Sequence, residues 1–160
     1  MAQNVISTAI LIIAAVIAVA ALINAMLPTV YGLSGSVSSV AGATNDRMRT
    51  SAGIICESLN GSDRMLDVYL KNTGTLKISA HDLGLTDVYF GNGSTLSKCP
   101  KTGTPSWSYA LPGGNGDASW DPGETLLITI AAGGYSFRGD AQHVKIVLAN
   151  GAGIEAKFAL

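Results

Sequence analysis

Cys56 and Cys99 are the only cysteines in the chain. In an oxidising setting a disulfide between them could staple a domain, adding about 3–4 kcal/mol. The other reading is two separate buried thiols, because sequence spacing does not fix the distance between them. Asn60-Gly-Ser62 and Asn92-Gly-Ser94 match the pattern that accepts an N-linked glycan. Asn-Gly is also a turn dipeptide and recurs at Asn115 and Asn150 without a following Ser; turns accommodate glycans, so the two readings are compatible. Asp117, Asp121 and Glu124 crowd into "NGDASWDPGE" and could offer oxygens to a hard cation. Their spacing is not that of a calcium-binding helix–loop–helix, so they read as solvated turn acids and no metal or cofactor is expected. His81 and His143 have only Asp82 and Asp140 near them in sequence. No histidine pair, nucleophile elbow, phosphate loop or paired-cysteine site accompanies them. No catalytic residue is assigned, and the chain is expected not to be an enzyme.

The elements that must carry these residues are short strands. "RMLDVYLK" alternates Leu66, Val68 and Leu70 against Asp67, Tyr69 and Lys71, and "TLKIS", "TDVYF", "SWSYAL", "ETLLITIA", "HVKIVLA" and "GIEAKFAL" follow. Runs of this length separated by Gly, Asn, Asp and Pro predict an all-β sandwich or barrel over 51–160. Asn150-Gly151 predicts a two-residue hairpin turn. Pro122-Gly123 in "WDPGE" predicts a tight turn feeding a buried strand. Trp120, just before that turn, is expected in the core; Trp107 and Tyr109 read either as core or as part of a recognition patch.

Residues 1–50 are of another kind. No charged side chain precedes Asp46, although the whole chain is 13% charged with a net charge of −1. That balance, without any Lys/Arg cluster, excludes a basic field for nucleic acid. Val5–Leu27 is long enough to cross a hydrocarbon layer, which takes about 20 apolar residues, and its twelve Ile, Leu and Val residues favour insertion by roughly 5 kcal/mol. A core helix would have a polar face, and this one has none. A cleaved signal would want a basic start and a shorter apolar run, although small residues near Ala21 and Ala25 leave a cleavage site open. Ala14 and Ala18, and likewise Ala21 and Ala25, sit four apart, so each pair shares a face on which helices approach closely in lipid. Beyond Pro28 the apolar residues Val30, Leu33, Val37 and Val40 continue at three- and four-residue steps to Thr44 and Met48. A helix to about Arg49 outruns the bilayer, which an anchor alone does not require. These positions are the expected packing surface of a retained helix that both tethers and assembles into a homo-oligomer, through the helix, the sandwich or both.

The fold class expected is thus α+β: a long hydrophobic N-terminal helix followed by an all-β, immunoglobulin-like sandwich. This combination resembles the archaeal type IV pilin-like proteins. "MAQNVISTAILIIAAVIAVAALINA" is similar to the start of archaellum accessory proteins of the FlaG and FlaF type, FlaG the more so. "VYLKNTGTLKIS", "DPGETLLITI" and "HVKIVLANG" resemble the strands of their sandwiches. The resemblance implies a stator part of the archaeal swimming motor at the cell surface. Its helix would lie in the cytoplasmic membrane and its sandwich outside, self-associating and joined with a FlaF-like partner, other archaellum components and the surface layer. The competing expectation is a filament subunit, an archaellin or pilin, whose helices bundle in the filament core. Such subunits carry a short basic leader, and none precedes Ala2, which favours the accessory protein. A membrane-tethered adhesin or surface enzyme is the remaining class.

Overall fold

The structure, a computed structural model, describes residues 2–61, 63–93, 95–139 and 141–160, with the side chains of Ala2 and Gln3 outside the description. Two compact units result, Met1–Thr44 and Asn45–Leu160. The first unit lies within α1, a single helix over Ala2–Arg49 that passes through Pro28. At 48 residues it is about 72 Å long. Every described side chain on it is exposed.

The second unit contains the last turn of α1 and, among the described residues, a sandwich of eight strands. These are β1 (Ala52–Leu59), β2 (Met65–Asn72), β3 (Asp87–Asn92), β4 (Thr95–Cys99), β5 (Ser106–Ala110), β6 (Thr125–Ala131), β7 (Gln142–Val147) and β8 (Gly153–Phe158), with a short helix α2 (Ala80–Gly84) before β3. They form two antiparallel four-stranded sheets, β1-β2-β6-β5 and β4-β3-β7-β8. The expected alternation places Leu66, Val68 and Leu70 of β2 and Leu126, Ile128 and Ile130 of β6 on one inner face. Val88 and Phe90 of β3 and Val144 and Ile146 of β7 form the other, and all ten are buried. Trp120 is fully buried, as expected, and its indole N–H donates to the Glu124 carbonyl at 2.9 Å. Trp107 is buried too, with the Lys101 ammonium 5.0 Å from its ring centroid.

Local expectations fared unevenly. Pro122 and Gly123 occupy the centre of a type II turn, closed by Glu124 N–H to Asp121 O at 3.0 Å with Gly123 at φ 84°. The β7–β8 hairpin is not the expected two-residue turn. Leu148 and Ala152 pair around a three-residue loop, with a Gly151-to-Leu148 bond at 2.8 Å and Gly151 at φ 79°. This is a type I turn with a bulge glycine, in which Asn150 keeps an ordinary negative φ. "TLKIS" is no strand. Only Ile78 bridges, to Trp120, and Ser79 then caps α2 by accepting the Asp82 N–H at 3.2 Å. The Ser-x-x-Asp pattern that starts a helix overrides a strand one residue from its end.

Candidate assembly surfaces

The residues singled out by type in the sequence do not converge on a reactive centre. Cys56 and Cys99 are both free thiols, so the bridge between them is not made. Cys56 is exposed on β1, at the edge that meets β8, whereas Cys99 is buried on β4, at the far edge of the other sheet. Burial pushes the Cys99 thiol up to about 11. Since the thiolate is the reactive form, a maleimide at pH 7.5 is expected to label Cys56 in the native protein and Cys99 only after unfolding. Mass spectrometry of the peptides before and after denaturant reads this directly.

Asp117, Asp121 and Glu124 serve the loop they stand in. The Lys77 ammonium pairs with Asp117 and lies 3.2 Å from Asp121, and that ammonium holds the Asp117 carboxyl below the usual carboxylate range. Glu124 accepts the backbone N–H groups of Asn115 and Asp121 at 3.1 and 3.0 Å. Among the described residues no three metal-ligating side chains come together. His81 is exposed on α2. His143 is buried on β7, its Nε2 without a hydrogen bond and 3.7 Å from Glu155. Asp140 lies outside the described residues, as do Ser62 and Ser94 of the two glycosylation patterns. Asn60 and Asn92 are exposed where β1 and β3 end. The Asn60 amide donates to Asp67 at 3.0 Å, and Asp67 is itself buried and takes the Thr129 hydroxyl at 2.6 Å.

What the structure offers instead is surface for assembly. Ala14, Ala18, Ala21 and Ala25 are exposed on α1, as are Val30, Leu33, Val37 and Val40 farther along it. A cation or a reacting group has nothing to hold here; another apolar surface does.

The junction between helix and sandwich is the feature sequence reasoning missed. Thr50 N–H bonds the carbonyls of Asp46 and Arg47 at 3.0 and 3.2 Å, ending the helix. Arg49 reaches Thr75 through Nε and Nη2, both at 3.3 Å, and the Thr75 N–H donates to the Arg49 carbonyl at 3.0 Å. The Ser51 carbonyl accepts from Thr73 and Gly74 at 2.9 and 2.8 Å, and the Asn150 amide donates to Thr50 Oγ1 at 2.6 Å. Gly74 has to be glycine, because a Cβ there would sit 2.4 Å from the Arg49 carbonyl oxygen. Beneath the turn, buried Asn72 donates from Nδ2 to the Leu76 and Trp120 carbonyls at 3.0 and 3.2 Å and accepts Gly74 N–H at 3.0 Å. The only available signal was "KNTGT", an Asn-x-Gly turn.

Comparison with known proteins gives this architecture its context. The sequence model of archaeal-type flagellin matches residues 2–158. An uncharacterised protein of Archaeoglobus fulgidus is 36% identical over 132 residues, 81% of each chain. The archaellum periplasmic stator protein FlaG from Sulfolobus acidocaldarius superposes with a TM-score of 0.57 at 25% identity, over 68% of this chain and 99% of that one. A chain of the FlaF–FlaG stator complex from the same organism gives 0.55 at 24% identity, over 67% and 87%. The archaeal flagellum of Methanospirillum hungatei strain JF1 gives 0.69 at 16% identity, over 97% and 92%; this likeness and that to the complex are of fold. The chain belongs to the archaeal-type flagellin family and is an archaellum-related structural protein without enzymatic activity.

Proposed function

We propose that this protein is a FlaG-like stator component, held in the membrane by its helix and gripping a fixed partner with its sandwich. The observation that carries the reading is the joint. A stationary part must pass load from anchor to grip, and only Thr50 and Ser51 separate the helix from β1. Arg49 and Ser51 are bonded into the 73–75 turn and Thr50 to Asn150, so a pull on the helix is shared by several hydrogen bonds rather than taken by a free linker. The sandwich side finds its counterpart in FlaG, matched along 99% of that chain. The helix supplies a span of mean hydropathy 2.9, which fits an anchor. By analogy with the FlaF–FlaG complex, the partner is a FlaF-like protein, with the sandwich on the outer side of the membrane toward the surface layer.

One observation favours a second reading. The likeness to the Methanospirillum hungatei flagellum extends over 97% of this chain, helix included, as a filament subunit requires. Shearing filaments from cells and quantifying this chain by mass spectrometry separates the two. Recovery with the membranes is the stator result, and abundant recovery with sheared filaments makes the chain a subunit.

Self-association through the helix belongs to either reading. The double change Ala14→Leu with Ala18→Leu is expected to lower the oligomer mass in detergent by light scattering; an unchanged mass removes those positions from the interface. Of the two glycan acceptors we propose Asn92 as the used one. The Asn60 amide nitrogen, the atom a glycan would occupy, is already bonded to the buried Asp67 carboxylate. Glycopeptide analysis is expected to find higher occupancy at Asn92, and equal occupancy would show that the Asn60 bond offers no protection.

A further inference from the structure

The chain contains four Asn-Gly pairs, at Asn60, Asn92, Asn115 and Asn150. Glycine has no side chain to shield its backbone nitrogen, so such a pair can close on itself, the Gly nitrogen attacking the Asn side-chain carbonyl. The fold decides whether it does. The nitrogen must be free, the side chain must be turned toward it, and a donor should meet the oxyanion that develops. Asn115 and Asn150 are turned alike. Each Oδ1 accepts the N–H two residues on, from Asp117 at 3.0 Å and from Ala152 at 3.1 Å. Each Nδ2 is held as well, by Asp121 at 2.8 Å and by Thr50 at 2.6 Å. They differ at the nucleophile. The Gly151 N–H is spent on the Leu148 carbonyl at 2.8 Å, whereas the Gly116 N–H has no hydrogen bond among the described residues and lies in an exposed stretch, 112–118. Asn92 is closed off as Asn150 is, because Gly93 N–H donates to the Ala141 carbonyl at 2.7 Å. Asn60 has an open Gly61 nitrogen, but its amide is drawn to the buried Asp67 carboxylate, and no described N–H donates to its Oδ1.

We infer that Asn115 is a site of spontaneous deamidation. Gly116 N gives up its proton to base and bonds to Asn115 Cγ, while the Asp117 N–H carries the negative charge arriving on Oδ1. The Cγ–Nδ2 bond then breaks, and the nitrogen takes a proton from water and leaves as ammonia. The cyclic imide that remains is opened by a second water. Attack at the side-chain carbonyl gives aspartate, and attack at the main-chain carbonyl gives isoaspartate, whose backbone runs through the former side chain. The net change consumes one water, releases one ammonia and oxidises nothing. Its effect on the loop follows from the partners. In the aspartate product an oxygen replaces the Nδ2 donor and faces the Asp121 carboxylate, while Lys77 is already shared between Asp117 and Asp121. A further negative charge with no added cation opens the loop that Asn115 had closed.

The test incubates full-length protein in detergent in mildly alkaline buffer made with heavy-oxygen water, beside an aliquot unfolded in denaturant. The Asn-Gly peptides are followed by mass spectrometry with fragmentation that tells isoaspartate from aspartate. In the unfolded aliquot Asn115 and Asn150 are expected to convert at similar rates. In the folded protein Asn115 should convert several times faster than Asn150 or Asn92 and ahead of Asn60, with isoaspartate in excess and one heavy oxygen in each product. Asn150 converting as fast as Asn115 in the folded protein, or Asn115 yielding aspartate alone, overturns the inference. Asn115→Asp supplies the aspartate product directly. It is expected to speed hydrogen exchange several-fold at the Ser119 and Asp121 N–H groups, which donate to Asp117 and Glu124; unchanged exchange there overturns the opening of the loop.

Discussion

Asn72→Ala is expected to cost the sandwich roughly 3–4 kcal/mol. It removes three side-chain hydrogen bonds, each worth about 1 kcal/mol, and strands buried carbonyls at Leu76 and Trp120. The loss falls on the turn that holds Arg49 and Ser51, so the damage reaches the joint as well as the core. Asn72→Asp separates the contributions: it keeps the acceptor for Gly74 N–H and loses both donations, and should fall between wild type and Ala. Denaturant unfolding followed by tryptophan fluorescence measures both, since buried Trp120 accepts one of the lost bonds at its carbonyl. A cost under about 1 kcal/mol for Asn72→Ala would mean that water replaces the amide and that the turn is not held by this residue.

The second large effect is steric. Gly91 lies in β3 opposite Leu96 of β4 and His143 of β7, and a Cβ built on it would meet the Thr95 carbonyl oxygen at 1.8 Å. That atom is backbone, so relief requires the β3–β4 hairpin to move bodily. Gly91→Ala is expected to cost about 3 kcal/mol and to lower Tm by roughly 10–20 °C. Gly53→Ala is the matched control: nothing lies within 4 Å of its Cβ position, and its effect should stay within about 0.5 kcal/mol. Circular dichroism melts of the two variants in the same detergent decide the matter. Equal melting temperatures would mean that β4 yields at no cost.

The parts of the fold legible in the sequence were those written as a period. Strands β2, β6 and β7 have one face in the core, and their alternation said so. The helix was legible as an unbroken apolar run up to Leu27, and its continuation from the three- and four-residue steps that begin at Val30. Strands β1 and β4 were not foreseen. They lie at sheet edges, where burial is partial, and β1 also carries a register shift between Ile54 and Cys56 that breaks its alternation. The "TLKIS" strand failed because propensity cannot weigh a cap one residue ahead. Asn150-Gly151 predicted the right hairpin with the wrong loop, since the dipeptide suits either turn and only the pairing of Leu148 with Ala152 selects between them. The joint was invisible for a different reason. Its residues come from 46–51, 72–76 and 150, segments far apart in sequence that the fold brings together. Cysteine and histidine, the types most suggestive of chemistry, proved to be scattered.

The stripe on α1 also bears on how copies of the helix would wind. From Val30 through Leu33, Val37 and Val40 to Thr44 the steps are three, four, three and four, an average of 3.5 residues. A straight helix turns every 3.6, so such a seam drifts by about 20° per heptad. Helices that keep it in contact over its whole length must coil around one another, and the sign of the mismatch makes that coil left-handed.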